Sequence, residues 1–116
     1  MWRDRIARAL LLTYMLLIVY LALGPAPSGP HVPHLDKLMH AGSWGLMALL
    51  CLGVWPDGYL KAVVICGAHG GATELMQGTL VQGRTADWFD WFADLIGALI
   101  AVGAVSWARR RGRATA

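Results

Sequence analysis

The apolar run from Ile6 to Leu23, IARALLLTYMLLIVYLAL, decides the fold. Arg8 is its only charged residue, and at about 1.5 Å rise per residue such a helix spans close to the roughly 30 Å hydrocarbon core of a bilayer. The composition agrees, because 57% of the 116 residues are hydrophobic and 15% are charged, whereas soluble domains carry about 25% charged residues. The chain is therefore predicted to be an integral membrane protein with a single domain, residues 1–116.

Three more apolar runs follow, at about residues 38–55, 60–81 and 88–107. A proline-rich stretch, residues 24–33, connects the first two, and a polar stretch, residues 82–85, connects the last two. Between the second and third runs, Pro56-Asp57-Gly58 is typical of a turn in which proline presets φ and glycine takes the left-handed conformation. The predicted fold class is all-α: a polytopic membrane protein with four transmembrane helices, at about 6–23, 38–55, 60–81 and 88–107.

The first run also has features of a cleavable signal peptide. Arg3 and Arg5 precede it, and Ala22-Leu23-Gly24 ends it with small residues. We favour a retained helix, because the run is long for the apolar part of a signal peptide and its removal would leave an odd number of spans.

Basic residues are distributed unevenly between the two ends of the predicted helices. Only Lys37 and Arg84 lie at the first and third connections. Eight lie at the termini or near the second connection: Arg3, Arg5, Arg8, Lys61, Arg109, Arg110, Arg111 and Arg113. Because cytoplasmic loops are rich in lysine and arginine, both termini are predicted to be cytoplasmic. The clustering favours an anionic membrane surface over nucleic acid as a partner.

Ionisable side chains interrupt the apolar runs, although a charge at the bilayer centre costs about 2.5–3.5 kcal/mol on insertion scales. They are His40, His69, Glu74, Asp90 and Asp94. On each of the last three helices the polar residues fall within an arc of about 60–80°, apart from Glu74, which lies about 60° beyond Gln77. Folding the third helix back onto the fourth about Arg84 and Thr85 places Glu74 opposite Leu95, beside Asp94. Hydrogen bonds that only hold the helices together contribute about 0.6 kcal/mol each, which would not offset the free-energy cost of burying several carboxylates. We therefore predict a functional polar pocket, with His69 lying deeper as a packing residue.

The predicted pocket contains two sets of groups. His40, Glu74 and Asp90 are the candidate catalytic residues, because imidazole and carboxyl groups can exchange protons with a substrate. The candidate substrate-binding residues are Asp36, Lys37, Gln77, Arg84, Asp87 and Asp94. Among these, Arg84 and Lys37 are expected to bind phosphate. Asp87, Asp90 and Asp94 share one stripe that could hold Mg²⁺, an ion commonly bound by carboxylates and phosphate; metal dependence stays open.

The same residues resemble the VanZ-like family of small membrane proteins, named after a teicoplanin-resistance accessory protein. The similarity begins with Asp36-Lys37-Leu38-Met39-His40, continues with Glu74-Leu75-Met76-Gln77, and ends with Arg84, Asp87, Asp90, Asp94 and Gly97. It covers about Asp36 to Gly103. Asp94 departs from the family pattern, which often has asparagine there. The resemblance implies a cell-envelope context linked to glycopeptide resistance, and it implies no defined reaction.

Our leading hypothesis is a multi-pass protein of the bacterial cytoplasmic membrane that binds a lipid-linked anionic headgroup at the outer leaflet. If the protein is an enzyme, it also modifies that headgroup. The partners are then membrane lipids, including lipid-linked cell-wall precursors, and the chain could also form a homo-oligomer. Two alternatives stay open: a non-enzymatic scaffold that shields envelope precursors, and a small proton-coupled exporter. The exporter is less favoured, because small multidrug transporters carry their key acid in the first helix, where this chain has only Asp4.

Overall fold

The computed structural model describes residues 1–25, 28–30 and 32–116, and this part of the chain contains four α-helices and no strand. The helices are α1 (Trp2–Ala22), α2 (Leu35–Val54), α3 (Tyr59–Leu80) and α4 (Trp88–Ala114). The all-α prediction is confirmed. α1 begins at Trp2, before the apolar run, and α4 continues through the arginine-rich tail to Ala114, since alanine and arginine both favour helix.

Three helices, α1, α2 and α4, are long and apolar enough to cross a membrane. Much of their apolar surface points outward: Leu12 and Leu16 on α1 and Phe89 and Ile100 on α4 are all more than half exposed. Outward-facing apolar side chains of this kind are the surface that lipid would cover. The fold is thus compatible with a multi-pass membrane protein.

α3 is long enough as well, with 22 residues, but it is not among those three helices. The physical reason is that α3 contributes polar side chains to the interior. Thr73, Glu74 and Gln77 are all buried on it.

The central helix is α2, which packs against each of the other three, whereas α1 contacts α2 and α3 but not α4 in the described residues. The α2–α4 contact is close because it is made by small residues. A Cβ at Gly97 would overlap the backbone of Ala41, and a Cβ at Gly45 would lie 3.2 Å from the Gly97 carbonyl oxygen. Small residues let helix backbones approach in this way.

The interior of the bundle divides into two halves along its length. The apolar half is lined by buried residues of all four helices: Leu11, Met47, Ala48, Cys51, Leu52, Ala62, Cys66 and Ala98. The polar half contains buried Thr73, Glu74, Gln77 and Asp94, together with partly buried His40 and Asp90. It lies where α2 and α4 begin and where α1 and α3 end.

The turn between α2 and α3 differs from its prediction. Gly58 donates its N–H to the Trp55 carbonyl at 2.9 Å, but its φ is −84°, so the left-handed conformation is wrong. The constraint on this position is steric, because a Cβ here would lie 2.9 Å from the Trp55 Cβ. Glycine therefore permits a close approach at this turn.

Candidate functional site

A cavity of about 580 Å³ opens in the polar half. One side of its wall is apolar and comes from the last turns of α1 and the α1–α2 connection, including Ile18, Leu21, Pro25 and Val32. The other side is polar and comes from α2, α3, the α3–α4 connection and α4. Its polar and ionisable residues are Asp36, His40, Ser43, Thr73, Glu74, Gln77, Arg84 and Asp90. The cavity therefore combines apolar and charged side chains in one wall.

Lys37 joins the start of α2 to the start of α4. Its ammonium group lies 2.9 Å from a carboxylate oxygen of Asp36, 2.9 Å from one of Asp87 and 2.5 Å from Oδ1 of Asp90. The hydrogen bond from Lys37 lowers the pKa of the Asp87 carboxyl below its usual value. Asp87 also caps α4, since its Oδ1 accepts from the Phe89 N–H at 2.9 Å, as expected for aspartate at a helix N-terminus. Lys37 is thus engaged by three carboxylates, and it does not line the cavity.

His40 lies between two carboxylates of α4. Its Nδ1 is 2.7 Å from Oδ1 of Asp94, and its Nε2 is 3.5 Å from Oδ2 of Asp90. The first distance is that of a short hydrogen bond, and the second is too long for one. Trp44, one helical turn further along α2, stacks on the imidazole with ring centroids 5.4 Å apart. The ring is thereby fixed in orientation, with Nε2 directed towards Asp90.

Asp94 is the most enclosed acidic group of the site, with no exposed surface. It fits because Gly70 on α3 has no side chain: a Cβ there would lie 2.6 Å from Asp94 Oδ2. The Asp94 Oδ2 atom is buried and has no hydrogen-bond partner among the described residues. Asp94 therefore interacts with the cavity indirectly, through His40.

Glu74 on α3 is 1% exposed. Its Oε2 accepts the backbone N–H of Asp87 at 2.9 Å, while Oε1 is buried without a hydrogen-bond partner in the described part of the chain. This position differs from the predicted register, in which Glu74 faces Leu95. Leu95 packs at Gly67 instead, and Gly70 lies beside Asp94. That register is wrong because the α3–α4 connection is not a simple reflection about Arg84: it folds back so that Ala86 packs against Gly78.

Arg84 and Gln77 complete the polar wall. Arg84 donates from one guanidinium nitrogen to the Gly24 carbonyl at 3.3 Å, which links the α3–α4 connection to the end of α1. The guanidinium has five N–H donors, and this long contact uses one of them. Gln77 is buried one turn beyond Thr73 on the same face of α3.

The structure brings together most of the residues that the sequence predicted for a site. Asp36, His40, Glu74, Gln77, Arg84 and Asp90 line the cavity. Lys37, Asp87 and Asp94 do not line the cavity, and they hold lining groups in place through the contacts described above. Trp44 was not predicted, although its i+4 spacing from His40 on one helix face is a signal for contact.

The three carboxylates of the acidic stripe, for which binding of Mg²⁺ was left open, do not gather at one point among the described residues. Asp87 and Asp90 bind Lys37, and Asp94 binds His40. Among the described residues, the group whose ligand atoms lie within 4.8 Å of one another is instead His40, Glu74 and Asp90, drawn from three helices. The register between the helices explains the difference, because it places Asp90 rather than Asp94 next to Glu74.

Chemically, the site offers an imidazole, three carboxylates and a guanidinium around one cavity that apolar side chains also line. Such a set can bind an anion at Arg84, a cation at the carboxylates, or move a proton through His40. No protein-family model, curated protein or solved structure matches this chain.

Proposed function

We propose that this chain is a VanZ-like membrane protein of the bacterial cell envelope that binds a lipid-linked anionic headgroup at the outer leaflet. The observation that carries the proposal is the two-sided cavity. Apolar side chains of α1 and the guanidinium group of Arg84 line the same cavity. A ligand with a phosphate head and a hydrocarbon tail matches both kinds of side chain, since the guanidinium binds phosphate bidentately and the tail contacts apolar side chains.

The proposed topology has four membrane spans. α3 joins α1, α2 and α4 in the membrane because its 22 residues extend about 33 Å at about 1.5 Å per residue. Its polar residues Thr73, Glu74 and Gln77 face the interior, where intramembrane polar groups usually lie. The short turn after Val54 makes α2 and α3 antiparallel neighbours.

The proposed orientation has both termini in the cytoplasm, as eight of the ten lysines and arginines favour. The cavity then opens near the outer leaflet. In a variant without Cys51 and Cys66, a cysteine at Ser28 should react with an impermeant thiol reagent added outside, and one at Gly112 should not. The opposite labelling pattern would move the cavity to the cytoplasmic leaflet.

Within this proposal, Arg84 is the phosphate-binding residue. Lys37 has a supporting role, because three carboxylates already surround its ammonium group. His40, Glu74 and Asp90 remain the groups placed to act on the headgroup, and Asp36 and Gln77 lie on the same wall. The resemblance to the VanZ-like family adds the expectation that loss of the site lowers teicoplanin resistance.

The test is lipid binding to the purified chain, measured by native mass spectrometry with a polyprenyl phosphate and with the polyprenol that lacks the phosphate. We expect the chain to retain the polyprenyl phosphate and not to retain the polyprenol. Arg84→Gln should abolish the difference, and Arg84→Lys should recover only part of it, because lysine lacks the planar fork. Equal retention of both lipids by the wild type would contradict the proposal.

The same incubation separates an enzyme from a scaffold. A labelled headgroup that is cleaved or transferred during incubation, and that stays intact with Glu74→Gln, identifies an enzyme. An intact headgroup that stays bound identifies a scaffold or shielding module. Efflux driven by a pH gradient in reconstituted vesicles, without lipid retention, would favour the exporter instead.

A further inference from the structure

The cluster formed by His40, Glu74 and Asp90 has the composition of a metal site. Each residue supplies one candidate ligand atom, and these atoms lie within 4.8 Å of one another. They come from three different helices, so the cluster depends on the folded bundle. All three residues also line the cavity, which leaves room for water or a ligand atom at an ion bound there.

In each of the three residues, one polar atom is fixed by a neighbour and the other is left for an ion. His40 uses Nδ1 for Asp94, which leaves Nε2. Asp90 uses Oδ1 for Lys37, which leaves Oδ2. Glu74 uses Oε2 for the Asp87 N–H, which leaves Oε1. Metal-binding histidines commonly donate their second ring N–H to a carboxylate, and such outer contacts orient the ligands.

Glu74 provides an independent indication that a ligand is expected. Its Oε1 atom is buried without a hydrogen-bond partner in the part of the chain that the structure describes, and the whole residue is 1% exposed. A buried carboxylate oxygen without a partner is costly unless a proton or a cation neutralises it. Five carboxyl groups gather in this region, on Asp36, Glu74, Asp87, Asp90 and Asp94, against two permanent cations, Lys37 and Arg84.

The spacing of two ligand atoms matches an ion better than a hydrogen bond. His40 Nε2 and Asp90 Oδ2 are 3.5 Å apart. Two ligands of a tetrahedral ion, each at about 2.1 Å from the metal, lie about 3.4 Å from each other. A hydrogen bond between the same atoms would be about 2.7–3.2 Å long.

We propose that His40 Nε2, Glu74 Oε1 and Asp90 Oδ2 bind one divalent first-row transition metal ion, with its open coordination position facing the cavity. The imidazole selects this class, because Mg²⁺ and Ca²⁺ prefer sites built of oxygen alone. Three protein ligands with one open position are the usual arrangement of a catalytic zinc site. The ion site rests on the geometry of the cluster, not on the lipid proposed above.

The test uses the full chain in detergent, stripped of metal with a chelator that is then removed. Zn²⁺, Mn²⁺ and Mg²⁺ are titrated separately, and bound metal is counted by mass spectrometry after desalting. We expect one Zn²⁺ or Mn²⁺ per chain and at least about tenfold weaker binding of Mg²⁺. Glu74→Gln and Asp90→Asn keep the side-chain shape and should each weaken binding at least about tenfold.

Asp36→Asn is the matched control. Asp36 lines the same cavity and binds the same lysine as Asp90, but it lies outside the cluster. Its variant should bind Zn²⁺ within about twofold of the wild type, because no ligand is lost. X-ray absorption of the zinc-loaded wild type should show imidazole scattering, a readout that does not require any variant to fold.

Several outcomes would overturn the ion site: no stoichiometric binding, Mg²⁺ binding as tightly as Zn²⁺, equal loss in Asp36→Asn and Asp90→Asn, or no imidazole scattering. The two proposals fail separately. A chain that binds polyprenyl phosphate but no ion overturns only the ion site, and a chain that binds the ion but not the lipid overturns only the lipid function.

Discussion

The same helices build the apolar and the polar half of the bundle, but the two halves serve different purposes. In the apolar half, Met47, Cys51 and Ala98 have no exposed surface and belong to the hydrophobic core. In the polar half, Glu74 and Asp94 are as deeply buried, yet each leaves an oxygen without a hydrogen-bond partner among the described residues. Close packing accounts for the first half. Buried polar groups are ordinarily paired, so these two oxygens support the proposal that the second half binds a ligand or an ion.

The largest expected effect concerns the contact on which both halves depend. Gly97→Ala would drive a Cβ into the backbone of Ala41 and separate α2 from α4. Backbone cannot move aside as a flexible side chain can, so we expect a loss of about 3 kcal/mol or more, seen as failure to yield monodisperse protein. Gly103→Ala on the same helix is the control, because its Cβ would meet nothing within 4 Å. Equal yields of the two variants would place the α2–α4 contact elsewhere.

The apolar half should affect stability alone. Met47→Ala removes a fully buried side chain and should lower the free energy of unfolding by about 2–5 kcal/mol. Leu46→Ala, at a neighbouring position that is 46% exposed, should cost much less. The folded fraction of Met47→Ala should still retain polyprenyl phosphate as the wild type does. Lost lipid binding in that folded fraction would mean that the two halves are not separate.

The ion pairs of Lys37 should contribute less, about 1 kcal/mol, since they are partly exposed and screened. Their effect should be visible in the pH dependence of the stability. The Lys37 contact lowers the pKa of Asp87 below its usual 3.8, so the unfolded chain binds the proton more readily, and the stabilisation is lost as the pH falls through this range. Lys37→Met should therefore flatten the acid side of a plot of Tm against pH.

Lys61→Met is the control for that measurement, because the Lys61 ammonium lies over the Trp55 ring at 4.9 Å, in the other half of the bundle. Its Tm should fall with acid as the wild-type Tm does. Parallel curves for the wild type and Lys37→Met would show that the Lys37 pairs do not stabilise the fold.

The sequence was sufficient to predict the helices and much of the site. Apolar runs bounded by prolines and charges located four helices, and the helical period identified the faces that carry His40 and Asp90. The helical period and the depth of a residue along its helix do not determine the register between two helices. The packing of Gly97 on Ala41 fixes how α4 lies against α2, and the connection before Asp87 fixes how it lies against α3. For that reason Asp90, and not Asp94, joins Glu74 in the cluster.

Side-chain partners were also beyond prediction. Lys37 was expected to bind a ligand phosphate, but its long side chain reaches Asp87 and Asp90 of α4. Such a reach depends on the final distance between two helix ends, which no local pattern in the sequence encodes. The same holds for the backbone N–H of Asp87, which binds Glu74 and lies in an irregular connection.

The most direct test of the account is the thermal unfolding of Glu74→Gln with and without polyprenyl phosphate. Glutamine keeps the size of the side chain and most of its hydrogen bonding, and it removes a buried charge that lacks a full set of partners. We expect a Tm without lipid at or above that of the wild type. Polyprenyl phosphate should still raise the Tm of Glu74→Gln, because Arg84 binds the phosphate, and it should not raise the Tm of Arg84→Gln. A lower Tm without lipid would show that Glu74 serves the fold, and a lipid-induced rise in Arg84→Gln as large as that of the wild type would contradict the phosphate site.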